Sequence, residues 1–189
     1  MGLPKTRTTP PHEAQAPSAW VVRWARLVRA GSSALDLACG QGRHARHLAA
    51  AGMEVLAVDR DEAALASLAG VPCVTTQSAD LEGGPWPFAP ERFDLIVVAN
   101  YLHRPLFPHL LSGLRPGGVL IYETFMQGNE RFGKPSNPDF LLTPGELADV
   151  VRGRLAMVGF EQGVVEQPRS AVVQRLCAIR GEPSLLMLP

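Results

Sequence analysis

Between residues 34 and 179, apolar runs of strand length alternate with segments patterned like helices. A chain organised in this way is confined to βαβ units around a mainly parallel sheet. Residues 34–38, 55–58, 73–76, 93–99 and 119–124 read as the first five strands, with 156–160, continuing toward 165, and 171–179 as the closing pair. The run 93–99 is apolar almost throughout, as expected of a strand covered on both faces. Residues 43–51, 61–69 and 106–114 read as helices, the second capped by Asp61 and stopped by Gly70, the third broken by Pro116-Gly117-Gly118. Thr143-Pro144-Gly145-Glu146 opens a further helix, with a Thr cap, Pro in the first turn and Glu placed to close a capping box. Ahead of the first strand, Ser18 caps a helix in which Trp20, Val21, Trp24, Leu27 and Val28 recur at helical spacing; it is expected to lie across the sheet, within reach of covering a ligand. Residues 82–90 read as loop, their Trp86 and Phe88 either walling a cleft or joining the core.

A length of 189 residues suits one domain and leaves no room for a second, catalytic one. Residues 1–17, with Pro4, Pro10, Pro11 and Pro17 among Thr, Lys and Arg, offer no core face and read as a flexible leader; 18–189 read as the single domain. Eighteen basic side chains balance eighteen acidic ones, so no overall field draws in a nucleic acid or an acidic membrane, and a small-molecule partner is expected. No apolar stretch approaches the roughly 18 residues of a spanning helix. Cys39, Cys73 and Cys177 form no C-x-x-C pair, which points to a reducing, cytoplasmic setting, and no cluster of ligands suggests a metal. The chain is expected as monomer or homodimer.

The segment Ala34-Leu35-Asp36-Leu37-Ala38-Cys39-Gly40-Gln41-Gly42-Arg43-His44-Ala45 runs from a strand through a glycine turn into a helix. Gly40 and Gly42 permit the tight turn, but Gly40-x-Gly42-x-x-Ala45 equally satisfies the dinucleotide pattern. Asp36 tips the balance, because a carboxylate at the strand end repels a pyrophosphate and attracts an ammonium. S-adenosylmethionine carries an amino group and a sulfonium and no phosphate. Asp59, ending the second strand, suits a ribose, and Asp80, within Ser78-Ala79-Asp80-Leu81, can accept from an adenine amine. Three acids at three successive strand ends fall where open α/β sheets bind ligands.

In these residues, together with Phe93-Asp94-Leu95-Ile96-Val97-Val98 and Leu114-Arg115-Pro116-Gly117-Gly118-Val119-Leu120, the chain resembles the class I S-adenosylmethionine-dependent methyltransferases from residue 34 to about 179. The resemblance implies a doubly wound, Rossmann-like seven-stranded mixed sheet with its last strand antiparallel and helices on both faces. It also implies a cofactor set of Asp36, Ala38, Gly40, Gly42, Asp59, Arg60, Ala79, Asp80, Leu81 and Asn100, with Arg60 near adenine. Ala38 departs from the family's usual Gly, a methyl the site is expected to tolerate. Glu123-Thr124-Phe125, Phe132-Gly133-Lys134-Pro135 and Tyr101-Leu102-His103-Arg104-Pro105-Leu106 are more loosely similar to the tellurite-resistance methyltransferases, with no inference about tellurite chemistry.

Methyl transfer needs alignment and exclusion of water more than covalent catalysis. His103 is the candidate base, Tyr101 an orienting group and Glu123 a binder of a cationic acceptor or an anchor for Arg131 or Lys134. The connection 127–142 reads as a functional loop suited to be a lid. No Asn-Pro-Pro-Tyr string follows the fourth strand, which argues against amine methylation through that motif. The rival readings are a nicotinamide-dependent oxidoreductase and a non-catalytic cofactor-binding module of the same fold.

Overall fold

Phe93–Ala99 (β4) lies at the centre of a seven-stranded sheet and decides its layering: Leu95, Ile96 and Val97 are wholly buried, so both faces must be covered. The computed structural model describes residues 16–182 and 188–189, so all of the expected leader except residues 16 and 17 lies outside the described residues. Besides β4, the strands are Ser33–Leu37 (β1), Glu54–Asp59 (β2), Val74–Ser78 (β3), Leu114–Phe125 (β5), Ala156–Val165 (β6) and Ala171–Ile179 (β7). They stand in the order β3-β2-β1-β4-β5-β7-β6, all parallel except β7, which runs antiparallel to both neighbours.

Alternation along each strand sends side chains into two cores. Leu35, Leu37, Ile96, Val98, Leu120 and Leu176 pack on one face under the helices Phe107–Gly113 (α4) and Glu146–Val151 (α5). Ala34, Leu95, Val97, Ile121 and Cys177 pack on the other under Ala19–Trp24 (α1), Arg43–Ala50 (α2) and Glu62–Ala66 (α3). The sheet is thus doubly wound, and its strand order reverses between the parallel neighbours β1 and β4.

Ser18 caps α1, accepting from the Trp20 amide, and the helix lies on the sheet as expected: Trp20 donates through Nε1 to the Leu176 carbonyl at 3.2 Å, and Trp20, Val21 and Trp24 are buried. Two local expectations change. Pro116-Gly117-Gly118 does not end a helix before β5; it is an irregular stretch within β5, which passes from Leu114 to Val119 while β4 passes from Phe93 to Leu95. Helix α5 starts after Gly145, not at a Thr cap. The Glu146 amide goes to the Thr143 carbonyl, the flanking Gly145 and Leu147 amides to Gln162 and, at 2.6 Å, the buried Gln174, and Glu146 closes back on Thr143 as expected, accepting its N–H and O–H.

Gly159 on β6 lies under Trp24, whose ring a Cβ there would strike. Gly159→Ala is expected to lose about 1–3 kcal/mol in urea unfolding, and adding Trp24→Leu should recover much of that loss; equal losses in both backgrounds would show that α1 does not dock on β6.

Candidate active site

The turn after β1 is built from backbone that few residues adopt. Ala38, Gly40 and Gly42 have φ of 52°, 53° and 75°. A side chain on Gly42 would also run into Leu68, so glycine is required there for packing as much as for the turn. Ala38 holds the left-handed region without that freedom, at a cost of roughly 1–2 kcal/mol, and Asn100 does the same after β4, at φ 58°.

Carboxylates occupy the amides of this turn. Asp59 Oδ2 accepts from the Gly40 N–H at 2.8 Å and Oδ1 from the Asp61 N–H at 3.0 Å. Asp36, 1 % exposed, accepts through Oδ2 from the Ala45 N–H in the first turn of α2, at 2.8 Å. A bound diphosphate relies on such turn and helix N-terminal amides; here two of them are held by acids and the place carries negative charge. Burial lifts the Asp36 carboxyl from 3.8 to about 7, against the Ala45 bond and the Arg43 charge, which pull it down.

A cleft of about 380 Å³ opens at the carboxyl ends of β1 to β4, where the strand order reverses; Ala38, Asp59, Arg60, Ala79, Asp80, Leu81, Asn100 and Tyr101 line it, together with Glu82 and Phe140. Asp80 accepts from the Glu82 and Gly83 amides at 3.0 and 3.1 Å, and the Gly83 bond above all holds its carboxyl below the usual range. Burial, assisted by the Glu82 carboxylate, pushes the Tyr101 phenol well up, so it stays protonated and donates to Glu82 Oε1 at 3.3 Å.

Eight of the thirteen residues singled out in the sequence therefore meet in one cleft. Asp36, Gly40 and Gly42 do not line it; they shape the turn beneath. His103 is half-buried beside it, makes no capping bond to the 3-10 turn it precedes, and stands near enough for its charge to act on Asp80. Glu123 requires a correction: it is buried, and Oε2 accepts from Arg175 Nε on β7 at 2.8 Å, so neither a cationic acceptor nor Arg131 or Lys134 takes it. Trp86 and Phe88 belong to the core, Phe88 buried and Trp86 stacked on His109. Glu82 escaped notice because nothing in its local sequence marks it; its place directly after Asp80-Leu81 was the available signal.

Residues 34–118 match the family model described as a methyltransferase domain. Over that segment, 85 of its 189 residues, the chain is similar to a methyltransferase domain, and its seven-stranded sheet has the Rossmann-like methyltransferase fold. No protein of curated function matches the sequence. Among solved structures it is similar to TehB from Haemophilus influenzae, at 20 % identity and TM-score 0.70 over 86 % of this chain, which spans only 61 % of TehB. It is also similar to 1,6-didemethyltoxoflavin-N1-methyltransferase from Burkholderia thailandensis (22 %, TM-score 0.62, 87 % and 77 % covered). A third is the N-methyltransferase NodS from Bradyrhizobium japonicum (18 %, TM-score 0.67, 86 % and 93 %). At these identities the likeness is one of fold. S-adenosylmethionine is the family's cofactor, and this site fits it: acids meet a cation where a phosphate binder would present free amides. Among the described residues no helix is long and apolar enough to cross a membrane.

The raised Asp36 value has a consequence for stability. The folded state binds the extra proton, so stability falls as pH climbs from about 4 through 7 and levels off above. Buried His44 slopes the other way, its imidazole pressed to about 3 chiefly by burial, so the comparison must be with a variant that keeps it. Asp36→Asn should gain stability relative to the parent across pH 4–7 in urea melts, while a pH-independent difference would show Asp36 to be charged in the fold throughout.

Proposed function

We propose that this protein transfers a methyl group from S-adenosylmethionine to a small-molecule acceptor by direct in-line displacement. The observation that carries the reading is Asp59, which lines the cleft while its carboxylate takes the Gly40 amide, with Asp36 taking the Ala45 amide beneath it: the turn offers a cation an acid where a phosphate binder offers free amides. The bound cofactor would supply a methyl already activated by its sulfonium.

The chain's own residues have simple tasks. Asp59 would grip the ribose hydroxyls and Asp80 would accept from the adenine amine, with Ala79 and Leu81 as apolar contacts and Arg60 near the base; all five line the cleft. Ala38 and Asn100, in left-handed backbone on adjacent strands, let the chain approach the amino acid end closely. Asp36, Gly40 and Gly42 set the turn. On the acceptor side His103 takes the proton from a hydroxyl, thiol or amine as it attacks, and Tyr101, kept protonated, orients rather than deprotonates. The family neighbours that methylate small molecules support an acceptor of that size, as does the balanced charge; the cytoplasm is the expected setting.

Calorimetric titration with S-adenosylhomocysteine and with NADH tests the cofactor: binding of the first alone supports the reading, and the reverse makes the protein an oxidoreductase. Labelled S-adenosylmethionine with a metabolite extract tests turnover, where cofactor binding without labelled product across many acceptors would favour a binding module. Asp59→Ala should weaken S-adenosylhomocysteine binding by ~1–3 kcal/mol, the range for hydrogen-bonding groups left unpaired. His103→Ala should lower turnover by roughly 10²-fold or more with cofactor affinity nearly unchanged; unaltered turnover removes it from the base role.

A further inference from the structure

Phe140 lines the cleft, yet it is 51 % exposed and belongs to none of the apolar clusters formed by the described residues. A ring left half in water at the mouth of a cavity has a free face for a ligand. Its backbone is held fast nonetheless. Arg104 donates through Nη1 to the Asp139 carbonyl and through Nη2 to the Leu141 carbonyl, both at 2.9 Å, gripping the chain on either side of Phe140. The same guanidinium pairs with both oxygens of Glu146, at 2.7 and 3.0 Å, and Glu146 in turn receives Thr143 N–H and O–H. A rigid planar fork is suited to such multiple fixation in a way an ammonium is not. Farther along, Leu142 N donates to the Phe125 carbonyl and Gln127 N to the Leu142 carbonyl, which ties the loop's ends to each other and to the sheet.

The cleft combines charge with rings. Asp59, Arg60, Asp80 and Glu82 come from the ends of β2 and β3 and suit the nucleoside. Tyr101 and Phe140 add two uncharged rings to the lining, Tyr101 held by its hydroxyl on Glu82 at 3.3 Å. Aromatic walls favour flat partners, stacked or edge-on.

We propose that Phe140 forms the acceptor-facing wall of the cleft, that Arg104 is the positioning residue that sets it there, and that the acceptor is a planar, uncharged molecule packed against that ring. This rests on the methyl-transfer reading and names the substrate class for it. Arg104 follows His103 directly, so one short segment supplies both the base and the anchor of the wall.

Calorimetry on the full-length protein saturated with S-adenosylhomocysteine tests this, with 2-naphthol and 8-hydroxyquinoline as planar probes and 2-mercaptoethanol, ethanolamine and acetate as aliphatic ones. The planar probes should bind and the aliphatic ones should not. Phe140→Ala and Arg104→Lys should each weaken planar binding roughly tenfold, leaving S-adenosylhomocysteine affinity within about twofold, and Phe140→Tyr, which keeps the ring, should restore binding. Aliphatic probes binding as well as planar ones, or Phe140→Ala without effect, overturns the proposal. So does a matching fall in S-adenosylhomocysteine affinity, which would put the ring over the cofactor instead. Failure of the planar probes with S-adenosylhomocysteine bound sinks the wall alone, whereas failure of S-adenosylhomocysteine itself sinks the methyl-transfer reading and this inference with it.

Discussion

The carboxylates that occupy the amides between β1 and α2 are the constraint on which the rest of the structure depends. Asp36, buried under the turn, ties the first turn of α2 to β1; Asp59 ties the end of β2 to Gly40. Together they join three elements at one point and give that point a sign. A helix N-terminus and glycine amides ordinarily make an anion site, and filling them with the protein's own acids reverses that preference without altering the fold. The same sheet that elsewhere holds a dinucleotide is here committed to a positively charged nucleoside.

That commitment was readable because it is local. Asp36 and Asp59 stand at the ends of β1 and β2, whose apolar pattern is plain, and the left-handed Gly40 and Gly42 follow Asp36 within a few residues. The central strand β4 and the last strand β7 were legible for the same reason, being apolar and bounded by loop residues. What escaped depends on contacts distant in sequence. Glu123 meets Arg175 because β7 inserts beside β5, a pairing fifty-two positions apart. The start of α5 draws on glutamines on β6 and β7 as well as its own Thr143. The expected strand 73–76 starts one residue early and stops two residues short of β3, because an edge strand with exposed Thr75 and Thr76 needs no continuous apolar run. Pro116-Gly117-Gly118 looked like a terminator, but a strand can absorb such a stretch as a bulge when its neighbour tolerates the shift.

Of the four non-glycine residues in left-handed backbone among the described residues, Cys73 and Glu91 stand away from the cleft and two stand at it. Ala38 and Asn100 follow β1 and β4, which are adjacent, and both hold left-handed backbone without being glycine. Such conformations persist only where the surroundings over-determine them; here the Val58 carbonyl receives the Cys39 amide and the Glu123 carbonyl receives the Asn100 amide. Neighbouring strands thus hold the two strained residues in place, and the buried Glu123–Arg175 pair keeps the second of those anchors fixed.

The insertion of β7 between β5 and β6 sets an order on assembly. While the polypeptide is being made, β6 emerges before β7, the strand it pairs with, and the outer edge of β5 stays open until residues 171–179 have left the ribosome. The cofactor end of the sheet, from β3 to β4, can form earlier from contacts nearer in sequence. A nascent chain halted short of that last strand would therefore display two unpaired strand edges, a sticky surface that the finished molecule conceals.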